Sequence, residues 1–221
     1  MHEQIARLKP SLIANGWAAI ETLAPTVEYL EDAVVGLAQQ LGSPRASRRG
    51  GCLVDHLRPI SANDANPKSL SASHGKGAFP WHTDGAHWSV PPRYLVLACA
   101  QASPNVASTG IWDGRQSIAL NSAKARIANF KVSNGAQSFY ATPACPLQSY
   151  YRFDPGCMSP LDSSALRLLE EVEDEGDAIV SAKISWERGL IVIIDNWRCL
   201  HRRVNAEQDI TRHLLRATVM E

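Results

Sequence analysis

The sequence has no paired CxxC spacing, no excess of charge of either sign, and no apolar run near the roughly 20 residues that cross a bilayer. Its five cysteines, Cys52, Cys99, Cys145, Cys157 and Cys199, are odd in number and scattered. That argues against a disulfide framework and fits a reducing cytoplasm. Lys plus Arg number 22 and Asp plus Glu 22, so no global field draws the chain to nucleic acid or to an anionic membrane. The basic run at 45–49 is broken by Ala46 and Ser47 and reads as a solvated loop. The polar opening MHEQ lacks the basic stretch and apolar core of a secretory signal. Internal repeats, low-complexity tracts and an interdomain linker are also missing.

What remains is an ordinary globular composition, 45% hydrophobic and 20% charged. At about 100–200 residues per domain, the chain is expected to form one domain over 1–221. Residues 3–14 place Ile5, Leu8, Leu12 and Ile13 on one helical face, and Asn15-Gly16 stops the helix before a strand at 17–23. A second helix is expected over 26–41, ended by Gly42. Residues 50–79 are rich in Ser, Asn, Gly and Pro and read as loops around a short strand at 52–57.

Short apolar segments follow at 94–100, 110–112, 138–142, 178–184, 190–194 and 212–220. Their β-branched and aromatic content, with turn residues between them, predicts an antiparallel sandwich or barrel. Helices are expected to interrupt it at 115–130 and 163–173.

The segment Pro80-Trp81-His82-Thr83-Asp84-Gly85 carries the chemistry. Residues two apart on an extended segment project to the same side, so His82 and Asp84 can grip one ion together. His201 follows an apolar strand and the turn-like Asp195-Asn196-Trp197, where it can supply a third ligand. Two imidazoles and one carboxylate leave about three coordination positions of an iron open, whereas a structural zinc site closes all four. Taken alone, the HxD string is weak, because a strand histidine is more often a packed core residue.

Arg212 and Arg216, eleven and fifteen residues beyond His201, add to it. Four apart on the last strand, they share a face, and a buried guanidinium calls for an anion such as a dicarboxylate terminus. A neighbouring Asp or Glu is the ordinary alternative partner. Cys199, close to His201, is read as packing.

The strings FPWHTDGAHW with PPRYLVL, GLIVIIDNWRCLHRR and the closing RHLLRATV resemble the taurine dioxygenase and clavaminate synthase-like Fe(II)/2-oxoglutarate dioxygenases. With the helix-Gly-strand opening and the LAQQLGSP helix end, the similarity touches most of the chain. It implies a mainly β protein with flanking helices, a double-stranded β-helix or cupin-like jelly roll.

It also implies Fe(II) held by His82, Asp84 and His201, with 2-oxoglutarate and O2 as co-substrates, succinate and CO2 released, and a small molecule hydroxylated. Arg212 stands where relatives hold the distal carboxylate of 2-oxoglutarate, and Arg216 where they face an acidic substrate group. Some relatives space the co-substrate arginine nearer Arg216, which leaves the two roles open between Arg212 and Arg216. Gly110 occupies the column where relatives carry a co-substrate threonine, which makes Thr109 the substitute. An Asp at position 84 disfavours halogenation, since related halogenases have a small residue there.

Lesser candidates are His74, His87 and Trp88 as pocket lining, Tyr151, Arg152 and Asp154 as a lid or recognition wall, and Asn196 and Trp197 as the turn aiming His201. Two competing readings stay open: a cupin-like iron enzyme or zinc hydrolase that needs no 2-oxoglutarate, and a degenerate barrel that only binds.

Overall fold

A computed structural model describes residues 2–23, 26–67 and 69–221. The chain opens with α1 (His2–Asn15), β1 (Trp17–Glu21), α2 (Val27–Leu41), β2 (Ser43–Arg45), β3 (Val54–Leu57), the short α3 (Leu70–His74), β4 (Tyr94–Gln101) and β5 (Thr109–Asp113). It continues with α4 (Ile118–Asn121), α5 (Ala123–Ile127), β6 (Phe130–Asn134), β7 (Gln137–Ala141), β8 (Met158–Pro160) and α6 (Ser163–Ala178). Strands β9 (Ala182–Ile184), β10 (Leu190–Asp195), β11 (Cys199–Arg203) and β12 (His213–Met220) complete it. Among the described residues no helix is long and apolar enough to cross a membrane.

All strand pairs are antiparallel. The main sheet runs β1-β10-β4-β12-β2 with β3 also on β12, and β11-β5-β9 and β7-β6-β8 form two smaller sheets. This is the mainly β jelly roll expected from the sequence.

Alternation divides its core. Leu95, Leu97 and Cys99 of β4 join Val192, Ile194, Leu214, Ile111 and Cys199 between the main sheet and β11-β5-β9. Val96 and Ala98, one residue out of step, face the other way with Leu215 and Ala217 and meet Leu30, Val34 and Leu37 of α2. The two-residue period of a strand thus assigns one face to the barrel interior and one to the helices. Helix α2 starts where Thr26 caps it, its side chain accepting from the Tyr29 amide.

Several boundaries differ from expectation. The single helix predicted over 115–130 is broken into α4 and α5, because Ser117 and Ser122 each leave the helical backbone region and cap the next short turn. Phe130 then begins β6. The predicted strand at 178–184 shortens to Ala182–Ile184, since α6 continues to Ala178. Helix α6 buries Ala165, Leu168, Val172 and Gly176.

Candidate active site

Strand β11 brings His201 to the interior, on the same face as Cys199 and opposite Ile111 of β5. The segment before Asp84 lies along this strand. The Phe79 amide donates to the Arg203 carbonyl at 2.9 Å, and His82 and His201 exchange main-chain hydrogen bonds of 3.1 and 2.9 Å. This two-bond bridge presents the two imidazoles to each other, with ring centroids 4.5 Å apart. At Gly85 the chain turns with φ +67°, and a Cβ there would lie 2.5 Å from Pro92 Cδ, so glycine is required.

Ligand atoms of His82, Asp84 and His201 lie within 4.8 Å of one another. Asp84 Oδ1 is 3.6 Å from Nε2 of each histidine. His82 Nδ1 is 2.9 Å from the Pro80 carbonyl, which can only accept, so Nδ1 carries the proton and the Nε2 lone pair faces Asp84. That tautomer suits a metal ligand. His201 Nδ1 is buried with no hydrogen-bond partner among the described residues.

The charges of Asp84 and His201 agree with this use, whereas His82 must give up a proton to the metal. Burial pushes the Asp84 carboxyl up, but Arg216, His201 and His82 outweigh it and hold the group well below the carboxylate range. Burial, with His82 and Arg216 nearby, lowers His201 and favours the neutral imidazole. For His82, burial is overcome by Asp84 and the value rises.

Residues around the triad divide by task. Asn196 buries its amide against the turn after His82: Oδ1 accepts from the Asp84 amide at 2.7 Å, while Nδ2 donates to the Asp84 and Pro92 carbonyls at 3.0 and 2.8 Å. It therefore aims Asp84, not His201 as expected. Trp197 Nε1 donates to the Pro91 carbonyl at 2.9 Å. Trp81 is fully buried, in the gap left by Gly110 of β5 and Gly176 of α6; a Cβ on Gly110 would come within 3.0 Å of the ring, and one on Gly176 would overlap it.

The two arginines take different partners. Arg216 Nη1 donates to Asp84 Oδ2 at 2.6 Å and Nη2 to Asp55 Oδ2 at 2.9 Å. Arg212 lies 3.1 Å from the buried Asp209 and donates to the Ala107 carbonyl at 3.0 Å. The Arg203 guanidinium lies nearby, and burial, with Arg212 adding to it, pushes its pKa down to about 10.

Thr109 is buried and accepts from Trp186 Nε1 at 2.9 Å. A Cβ on Gly110 would point at Trp81, so a threonine side chain at that position would meet the indole. Sequence reasoning missed Asp55, a carboxylate in the short strand Val54–Leu57 with no motif around it.

Of the lesser candidates, His74 touches Phe79 edge-on, and Phe79 in turn meets His82. His87 and Trp88 line a cavity of about 940 Å³ with Phe139 and Arg152. Arg152 is no flexible lid: it is buried and donates to the carbonyls of Ala86, Trp88 and Ser89. Asp154 accepts from the Gly156 amide rather than pairing with Arg152. Tyr151 donates to Asn121. Cys199 packs in the core, its thiol pushed up by burial.

Residues 114–218 match the model of the taurine catabolism dioxygenase TauD, TfdA family. Curated protein sequences gave no match. Among solved structures, an asparagine oxygenase in complex with Fe(II), 2S,3S-3-hydroxyasparagine and succinate superposes with TM-score 0.79 at 18% identity, covering 99% of this chain and 78% of that one. The non-haem iron oxygenase OrfP with Fe and alpha-ketoglutaric acid gives TM-score 0.72 at 20% identity, covering 99% and 80%. OrfP with Fe, succinate and (3S)-hydroxy-L-Arg gives 0.67 at 21%, covering 99% and 79%. The chain thus resembles the TauD/TfdA dioxygenases, by the family model over residues 114–218 and by its fold, shared with these non-haem iron oxygenases, over nearly its whole length.

Proposed function

We propose that the chain is an Fe(II)- and 2-oxoglutarate-dependent oxygenase, one domain over 1–221, that hydroxylates a free amino acid or similar small carboxylate-bearing molecule. The observation that carries this reading is the triad: two imidazole nitrogens and one carboxylate oxygen within 4.8 Å, on a jelly-roll scaffold. His82 Nε2, Asp84 Oδ1 and His201 Nε2 would hold the metal, a set that leaves positions open for co-substrate and oxygen. Bound iron would supply the redox chemistry by which O2, 2-oxoglutarate and a substrate C–H group become succinate, CO2 and the hydroxylated substrate.

The protein's own part is to bind and orient. The Pro80 carbonyl fixes the His82 tautomer. Asn196 fixes the Asp84 main chain, and Arg216 holds the carboxylate by its other oxygen. Arg212, and Thr109 as a second contact, are assigned to the distal carboxylate of 2-oxoglutarate. Supporting this, two buried guanidiniums, Arg203 and Arg212, share one buried carboxylate, Asp209, leaving positive charge for an anion to offset.

An amino-acid substrate is supported by the asparagine and arginine derivatives bound to the structural neighbours. A cytoplasmic location is supported by the five free cysteines.

The test is succinate formation by anaerobically Fe(II)-loaded protein given O2, 2-oxoglutarate and an amino-acid mixture, beside His82→Ala. Succinate from the intact protein alone is expected. Equal succinate from both, or metal binding with no affinity for 2-oxoglutarate, sinks the reading.

A further inference from the structure

Asp55 of β3 and Arg216 of β12 are direct cross-strand partners, and their side chains meet at 2.9 Å. Ser47 Oγ donates to Asp55 Oδ1 at 2.7 Å, fixing the carboxylate from its other side. The second arm of Arg216 ends on Asp84 Oδ2. Two carboxylates thus face one guanidinium beside the proposed metal position.

The pair is also open. Asp55 and Arg216 each keep 22% of the side chain exposed, against 0% and 6% for Asp209 and Arg212. Arg212–Asp209 is sealed, whereas Arg216–Asp55 keeps two opposite charges side by side and partly exposed.

What such a pair accepts follows from elementary electrostatics. A ligand carrying only a carboxylate is attracted by Arg216 and repelled by Asp55 at nearly the same range. A ligand with a carboxylate and an ammonium on one carbon satisfies both charges, and each contact is a charge-assisted hydrogen bond. Repulsion of the wrong ligand and attraction of the right one then act together.

We propose that Asp55 is the specificity-determining residue of this site: it receives the α-ammonium of a free amino acid whose α-carboxylate lies on Arg216. The site then selects amino acids over desamino acids, sulfonates and N-acylated analogues. This inference rests on the oxygenase reading above and names its substrate class through a residue that reading does not use.

The experiment is anaerobic calorimetry on protein loaded with Fe(II) and 2-oxoglutarate. The titrants are the common L-amino acids and, for each that binds, its desamino and N-acetyl counterparts. Wild type, Asp55→Asn and Asp55→Glu are compared. In the wild type, at least one amino acid is expected to bind about tenfold or more tightly than its desamino counterpart, the scale of one charge-assisted hydrogen bond. Asp55→Asn should bring the two within about threefold, by weakening the amino acid and relieving the repulsion of the desamino acid, and Asp55→Glu should restore part of the gap.

Equal binding of amino and desamino acids to the wild type, or discrimination that survives Asp55→Asn, overturns the proposal. So does the absence of any amino-acid binding to protein that binds 2-oxoglutarate, an outcome that leaves the oxygenase reading standing. Failure to bind 2-oxoglutarate at all overturns that reading and this inference with it. Should Asp55→Asn not fold, Asp55→Glu is compared with wild type in its place, and discrimination unchanged by it overturns the proposal.

Discussion

Arg216 Nη1 meets Asp84 Oδ2 at 2.6 Å, on the oxygen opposite the one that faces His82 and His201. One carboxylate is thereby divided between a guanidinium and the ligand cluster. This division keeps Asp84 ionised in spite of its burial.

Arg216→Ala should therefore do more than remove a substrate contact. It leaves Asp55 and Asp84 as partly buried carboxylates without their cation, at a cost of about 3 kcal/mol. Chemical denaturation checks this, and the double variant Arg216→Ala/Asp55→Ala should recover part of the loss.

The same substitution has a pH consequence. A carboxyl depressed in the folded state contributes stability that is present above its ordinary value, 3.8, and is lost only as pH falls through the lower folded value. Without Arg216 the folded value rises, so acid unfolding and acid loss of metal should both begin at higher pH. Unchanged acid profiles in the variant would contradict the assignment.

Asn196 makes three hydrogen bonds from a fully buried side chain, two of them to the Asp84 main chain. Asn196→Ala should cost about 1–3 kcal/mol for the unsatisfied groups it leaves. It should also weaken metal binding about tenfold or more, the usual effect of losing a group that orients a ligand. Metal titration followed by calorimetry reads this directly. A variant that loses stability but retains full metal affinity would confine Asn196 to folding.

Much of this arrangement is legible in the sequence because strands and turns encode it locally. The HxD string, the apolar strand before His201 and the spacing of Arg212 and Arg216 each follow from short-range pattern. Side-chain partnerships do not. Asp55 lies 161 residues from Arg216, and nothing in the sequence around Val54–Leu57 announces the register that puts β3 beside β12. Likewise the helix predicted at 115–130 has a plausible apolar pattern, yet two serine hydroxyls compete for its amides and divide it. The pairing of Arg212 with Asp209 is three residues apart in sequence, but it becomes visible only when the turn between β11 and β12 is seen folding back on Ala107.

Gly176 gives a prediction whose sign opposes helix propensity. In the last turn of α6, helix propensity alone prefers alanine by up to about 1 kcal/mol. A Cβ at 176, however, would overlap the Trp81 indole, whose residue immediately precedes His82. Gly176→Ala should therefore destabilise the protein by about 1–3 kcal/mol, the cost of overpacking a filled interior. A rise in the melting temperature would show that Trp81 yields without strain.

A last prediction concerns a chain of groups on β3, β12 and α2. Arg58 Nη2 lies 3.0 Å from His213 Nδ1, and because a guanidinium only donates, that nitrogen must accept. His213 Nε2 therefore carries the proton and donates to His56 Nδ1 at 2.9 Å, while His56 Nε2 faces Glu31 Oε1 at 3.3 Å. The geometry requires a neutral His213, and burial, Arg58 and His56 all lower its pKa from 6.5. A histidine depressed in the folded state contributes stability that is present above 6.5 and is lost as pH falls through the folded value.

His213→Gln removes that titration while keeping a polar side chain. The stability difference between wild type and variant should narrow as pH falls below 6.5, by at most about 1.4 kcal/mol per pH unit for one proton. Taking the difference cancels the titration of His82 and His201, which both proteins share. Parallel stability profiles between pH 5 and 8 would mean that His213 takes up its proton without breaking the chain, and that the Arg58 contact does not dictate its tautomer.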